Sequence, residues 1–270
     1  MQRILRSFLL LSGLLIATGA AQGDFVTLNA IQDNTIYQTI DATNQMSNGA
    51  GNRIVVGQGG SSNNIAHRGL IEFDLSTIPQ GSIINTVTVT LRAEKAPNKS
   101  ATTITLQRLT VGWGEGSSAN NVNTGQGAPS STSPPDASWF FNQFNTSQWT
   151  KAGGDFNATP SASQTVPGST GLPGDVTWGS TAGLVADVQG WVNNSSTNFG
   201  WLLLGDESTS STTRDFDSRE AGVAIGPRLS IDFTAPAPVP EPASLAMLAV
   251  AATGFAGYTW RRWRTAARAD

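Results

Sequence analysis

From Asp24 to Phe233 the apolar residues recur at every second position or in runs of three or four, with no sustained helical period. That pattern limits what the chain can fold into, because alternation puts residues i, i+2 and i+4 on one face of a pleated strand. Arg68-Gly69-Leu70-Ile71-Glu72-Phe73-Asp74-Leu75 is the clearest case. Ile71, Phe73 and Leu75 share one face and Leu70, Glu72 and Asp74 the other, which predicts a half-buried strand with the first three in the core. Ile78-Pro79-Gln80-Gly81 closes it with a turn. Val87–Leu91 and Ile104–Val111 repeat the alternation, and Phe25–Leu28, Thr35–Tyr37, Ile54–Gly57, Phe199–Leu204, Arg214–Glu220 and Arg228–Phe233 read as further strands. The spacing of Leu184, Val185, Val188, Trp191 and Val192 predicts one short helix over Gly183–Val192. Between about residues 116 and 176 the pattern dissolves into Gly, Ser, Asn, Pro and Thr, planted with Trp139, Phe140, Phe141, Phe144, Trp149 and Phe156. A stretch of that length predicts a functional loop whose middle is pinned by its aromatic rings. The expectation is an all-β, antiparallel β-sandwich forming one domain over residues 24–233.

The two ends read differently. Arg3 and Arg6 precede an apolar run from Phe8 to Ala17 and the small residues Thr18-Gly19-Ala20-Ala21, a secretory signal peptide over residues 1–22. After a linker at 234–239 come Pro240-Glu241-Pro242, an uncharged run from Ala243 to Trp260, and Arg261, Arg262 and Arg264. As a helix that run is roughly 27 Å long, which predicts a transmembrane helix over about 243–260. Its arginines stay on the cytoplasmic side, so everything before Pro240 is expected outside. With no cysteine, the exported region has no disulfide, thiol nucleophile or thiolate metal site. Six of the 16 basic and two of the 19 acidic residues lie in these ends, which leaves 10 against 17 for the rest, a net charge of about −7. An acidic exported domain is a poor nucleic-acid partner.

Few residues suit catalysis. His67 is the only histidine, so a histidine-based triad or a multi-histidine metal site is excluded, and a polysaccharide lyase would have to use Tyr37 and His67 with an arginine. No motif singles out a pair of carboxylates, and no enzyme is expected. Arg68, Arg219 and Glu220 lie in predicted strands, where a charge survives burial only if paired, so an ion pair fixing strand register is expected. Oxygen donors that could hold a structural calcium cluster at Asp33, Asp41, Asn44, Asn48 and Asn52, and again at Asp206, Glu207, Asp215 and Asp217. Neither set has the spacing of a calcium loop, so no metal site is assigned. For sugar binding a flat aromatic face must be presented beside amides. Trp139, Trp149 and Trp178 lie in or beside the long loop with Asn142, Gln143, Asn145 and Gln148 around them, and these tryptophans are the expected glycan-binding residues. The alternative is that the rings fasten the loop to the sheet.

Two resemblances follow from these residues. Val239-Pro240-Glu241-Pro242, the hydrophobic span, and Arg261, Arg262 and Arg264 resemble the PEP-CTERM sorting signal of exopolysaccharide-producing bacteria, over residues 240–268. That resemblance implies an exosortase, a membrane protease that removes the helix, as partner and a transient membrane anchor. Asp33-Asn34-Thr35-Ile36-Tyr37, Arg68 to Leu75, Trp113-Gly114-Glu115, Asp187-Val188 with Trp191, Asn198-Phe199-Gly200, Phe216-Asp217-Ser218-Arg219-Glu220 and Pro227-Arg228-Leu229 resemble the landmarks of the DNRLRE domain. That domain is grouped with carbohydrate-binding module family 96, which implies a jelly-roll sandwich and a non-catalytic, exopolysaccharide-binding role at the cell surface or in the matrix. Alginate-binding members of that family use a basic groove. Here the only lysines are Lys95, Lys99 and Lys151, so a neutral glycan suits the charge better. A structural surface protein with no specific ligand is the other reading.

Overall fold

The computed structural model describes residues 23–60, 64–120, 127–237 and 242–266. The signal peptide expected over 1–22 lies outside them. The described strands are β1 (Gly23–Tyr37), β2 (Met46–Ser47), β3 (Arg53–Gln58), β4 (Ala66–Phe73), β5 (Ile83–Lys95), β6 (Thr102–Arg108), β7 (Ala128–Pro129) and β8 (Phe141–Gln143). After them come β9 (Ser147–Gln148), β10 (Ala162–Val166), β11 (Gly174–Trp178), helix α1 (Ala182–Asn193), β12 (Trp201–Leu204), β13 (Arg214–Asp217), β14 (Arg228–Thr234) and helix α2 (Pro242–Ala266). All strand pairs are antiparallel, and the all-β expectation holds for the exported region.

Several strands change partners along their length, and in β1 and β3 this sets the architecture. Residues 23–29 of β1 pair with β14, and after a bulge between Ala30 and Gln32 the rest of the strand pairs with β4. Likewise β3 pairs with β13 through Val56 and then with β4 from Gly57. Gly57 sits at that corner with φ of 114°, and a Cβ there would lie 2.8 Å from the Thr212 carbonyl, so only glycine turns it without strain. The ladder β4-β3-β13-β5-β14-β1 therefore returns to β4 as a closed ring of six strands. The expected jelly-roll sandwich is corrected accordingly: two separate sheets would leave open edges, whereas β1 and β3 carry the hydrogen bonds round both corners. The polar stretch Asn29–Asn34, which separates two predicted strands in the sequence, is the bulge inside one.

The remaining strands extend the ring. β12, β6 and β10 follow one another outward from β4, while β11 adds to β5. The described residues of the stretch 116–176 therefore include strands as well as loop: β10 and β11 are too short to show a period, yet Ala162 with Val166 and Val176 with Trp178 are buried on one face of each. Helix α1 forms where predicted. The Thr181 hydroxyl accepts from the Leu184 amide at 3.1 Å as its N-cap, and Leu184, Val188 and Trp191 face the core.

Two apolar clusters result. The main cluster joins Ile54, Ile71, Phe73, Val89, Leu91 and Phe216 on the ring strands with Trp178, Trp191 and Trp201 from β11, α1 and β12. A second cluster covers the opposite face of β4 and β12, where Ile36, Leu70 and Leu202 meet Trp113, Trp139 and Trp149. Ile71, Phe73 and Leu75 are in the core as expected, but Leu70 on the other face is fully buried too, because the 116–176 segment lies over it.

The C-terminal helix α2 is a separate unit, with Met247, Phe255, Trp260 and Trp263 exposed. Among the described residues no helix is long and apolar enough to cross a membrane. The helix expected over 243–260 is present as the middle of α2, Pro242–Ala266.

Trp178 tests the core. Its indole is fully buried and donates to the Ile104 carbonyl at 2.9 Å. Trp178→Ala is expected to cost about 3–5 kcal/mol, read as a lower urea midpoint, whereas Trp263→Ala on exposed α2 leaves that midpoint unchanged.

Candidate functional site

The sequence landmarks that lie far apart along the chain meet in one polar network. Asp33 on β1 donates its backbone N–H to Glu115 Oε1 at 3.0 Å, and Asn34 Nδ2 donates to the Glu115 carbonyl at 2.9 Å. Past β13 the chain makes a single turn over Arg219–Ala221, so Arg219 lies outside the strand in which it was expected. Its backbone N–H donates to Asp33 Oδ2 at 2.7 Å, while its guanidinium forks onto Glu115 at 3.2 and 2.7 Å and reaches Glu220 at 2.7 Å. The expected Arg219–Glu220 pair is present, with Glu115 as the bidentate partner. Two carboxylates, Glu115 and Glu220, therefore share one guanidinium while Asp33 takes the backbone amide of the same residue, and the fully buried Asp33 keeps Oδ1 without a partner. Burial, then the charge of Glu220, push the Asp33 carboxyl well above its ordinary value, and burial raises Glu115 as well.

Arg68 forms a second anchor on the outer face of β4. Its Nε and Nη2 fork onto Glu207 at 2.6 and 2.8 Å, and Nη1 donates to the Gly153 carbonyl at 2.7 Å. The guanidinium stacks 4.7 Å from the Trp139 ring and 5.6 Å from Phe156, at the edge of a cleft of about 490 Å³ that also includes Lys151 and Asp155. Here the structure gathers three residues singled out from the sequence: Arg68, Trp139 and, through the cluster beneath, Trp149. It does not gather them as a sugar platform. Trp139 and Trp149 are 7% and 5% exposed, and the Trp149 indole donates to the Ser138 carbonyl at 2.8 Å. Trp178 lies in the main core. None presents a flat face to solvent, because these rings are the apolar material that covers Leu70 and Leu202. The alternative role, fastening the segment to the sheet, is the observed one.

Other expectations meet the same burial. Tyr37 and His67 pack edge to face with centroids 5.0 Å apart, but both are buried and out of reach of a polymer. Burial holds His67 below its usual value and pushes the Tyr37 hydroxyl up. Several of the carboxylates suggested for calcium are engaged by near neighbours or by arginines. Asp41 and Asp206 accept from residues two and three positions ahead in turns of their own, and Asp217 pairs with Arg53 and Arg92. Among the described residues no group of three or more His, Cys, Asp or Glu could hold a metal ion. Sequence reading missed Glu207 as the partner of Arg68. It also missed Arg214, a fully buried guanidinium that donates to the carbonyls of Pro167, Ser100, Thr212 and Thr213. Neither leaves a periodic signal, since the partners are a turn residue and backbone oxygens.

These buried acids set a pH dependence. Asp33, Glu115 and Asp136 are raised by burial, and Asp215 is raised to about 6. A raised carboxyl contributes stability that is complete below its unfolded value near 4 and is lost as pH climbs through the folded value. The exposed Asp41 and Asp74 are lowered by turn hydrogen bonds and act oppositely, below about pH 4. The urea midpoint is expected to rise from pH 7.5 to pH 5, with Asp215→Asn flattening the part of the rise near pH 6.

Val239, Pro240 and Glu241 lie outside the described residues. Pro242 opens α2, and Arg261, Arg262 and Arg264 are exposed near its end. No curated protein matches the chain. Residues 238–262 match the family model of the PEP-CTERM protein-sorting motif, which points to exosortase-dependent export, sorting to the surface and C-terminal anchoring to the membrane.

Proposed function

We propose that the chain is an exported surface or matrix protein whose β domain is a non-catalytic binder of exopolysaccharide, delivered by an exosortase that cuts at its tail. The observation that carries this reading is the sorting motif at 238–262 joined to a charge-poor, amide- and hydroxyl-rich domain. Val239, Pro240, Glu241 and Pro242 are what the protease recognises, Arg261, Arg262 and Arg264 hold the tail on the cytoplasmic side, and the anchor is transient. The likeness to the DNRLRE domain adds support, since Asp33, Asn34, Glu115, Arg219 and Glu220 are landmarks of that likeness and meet in one network. A shared network of this kind is what a common fold would need to keep. The burial of Trp139, Trp149 and Trp178 favours a second reading, in which the domain is a structural unit of the surface with no specific ligand.

Two experiments test these readings. In cells that make the exosortase, changing Pro240, Glu241 and Pro242 to alanine is expected to leave a full-length chain in the membrane fraction. Unchanged trimming and release would overturn the sorting assignment. The full chain purified in detergent is expected to be retained on an immobilised neutral polysaccharide and not on alginate. Retention on no glycan would leave the structural reading in its place.

A further inference from the structure

Resting on the glycan-binding reading, we infer that the recess between the end of β4, the turn into β5 and the C-terminal end of α1 is the site that grips a neutral polysaccharide. Its volume is about 570 Å³, within the range of small-ligand clefts. The bulge in β1, where the strand leaves β14 for β4, re-aims Ile31 outward, and Ile31 lines this recess while 49% exposed. With Pro79 it offers an aliphatic patch that the C–H face of a sugar ring can cover, in place of the aromatic face that the buried tryptophans do not present.

The polar groups around that patch are held in place before any ligand arrives. Gln32 Nε2 donates to Glu72 Oε2 at 2.6 Å, and Asp74 accepts from Ser76 at 2.9 and 2.8 Å. Asn198 Nδ2 donates to the Phe73 carbonyl at 2.8 Å, and the Asn194 side chain accepts from Ser196 at 2.7 Å. Groups fixed this way lose little freedom when a ligand binds. Carboxylates and amides are the partners that sugar hydroxyls require. No lysine or arginine lines the recess, so a polyanion meets Glu72 and Asp74 without a compensating cation.

Trp191 contributes to the same wall at 2% exposure, and its indole N–H has no hydrogen-bond partner, unlike those of Trp113, Trp149, Trp178 and Trp201. A buried donor without an acceptor is destabilising.

The test uses the full chain in detergent with three probes: a neutral glucan hexamer, a glucosamine hexamer and an alginate oligomer, measured by calorimetry. Ile31→Ser and Asn194→Ala change exposed side chains, and each is expected to weaken neutral-hexamer binding about tenfold or more with an unchanged thermal midpoint. If the natural chain binds no hexamer, the glycan-binding reading falls and the recess with it. If it binds the neutral hexamer and Ile31→Ser and Asn194→Ala bind equally well, the recess is overturned while the reading stands. Preference for alginate or glucosamine overturns the neutral ligand class.

Discussion

The backbone pairing of β1 with two partners holds the rest of the structure in place. One half of the strand is bonded to β14 and the other to β4, and β3 does the same at a second corner. An unclosed sheet of this length would expose a row of unpaired amides and carbonyls along each edge. Closure removes those edges within the ring and encloses a core large enough to dispense with covalent staples, which matters in an exported chain without cysteine. Because the ladder sets register, it also decides which side chains face inward: a slip of one residue in β4 would turn Ile71 and Phe73 out and Glu72 in.

A ring filled on the inside still has an outside, and here part of that outside is apolar. Leu70, Leu202 and Ile36 point away from the main core and are covered by Trp113, Trp139 and Trp149. The aromatic residues of the glycine- and serine-rich segment therefore serve as a cladding. Arg68 seals its edge by stacking on Trp139 and pairing with Glu207, so a residue on a strand, one in the cladding and one in a distant turn are fixed together. The same logic explains why tryptophan, which is suited to sugar stacking, is used elsewhere: its area is worth more against an apolar sheet than in water.

The charge pattern separates support from display. Asp33, Glu115, Arg219 and Glu220 join β1, the segment after β6 and the turn after β13, which are distant in sequence. Their partners are one another, so they bind the fold together and leave little for a ligand. The recess beside Ile31 is built the other way. Its carboxylates and amides are oriented by one or two neighbours each, with Glu72 and Asn198 half-buried and Asp74 and Asn194 exposed.

The sequence alone determined the local events: the strand faces of β4, β5, β6 and β14, helix α1 from its apolar spacing, and the sorting motif of the tail, all of which depend on residues close together along the chain. It marked Asp33, Glu115 and Arg219 as landmarks but could not say that they touch. It could not show closure, because a bulge in β1 looks in sequence like a turn between two strands. Nor could it tell an exposed tryptophan from a buried one in an aperiodic stretch, since burial there depends on which sheet face the segment crosses. Those matters were decided only by the tertiary structure, where pairing over long sequence separations chooses the neighbours of each side chain.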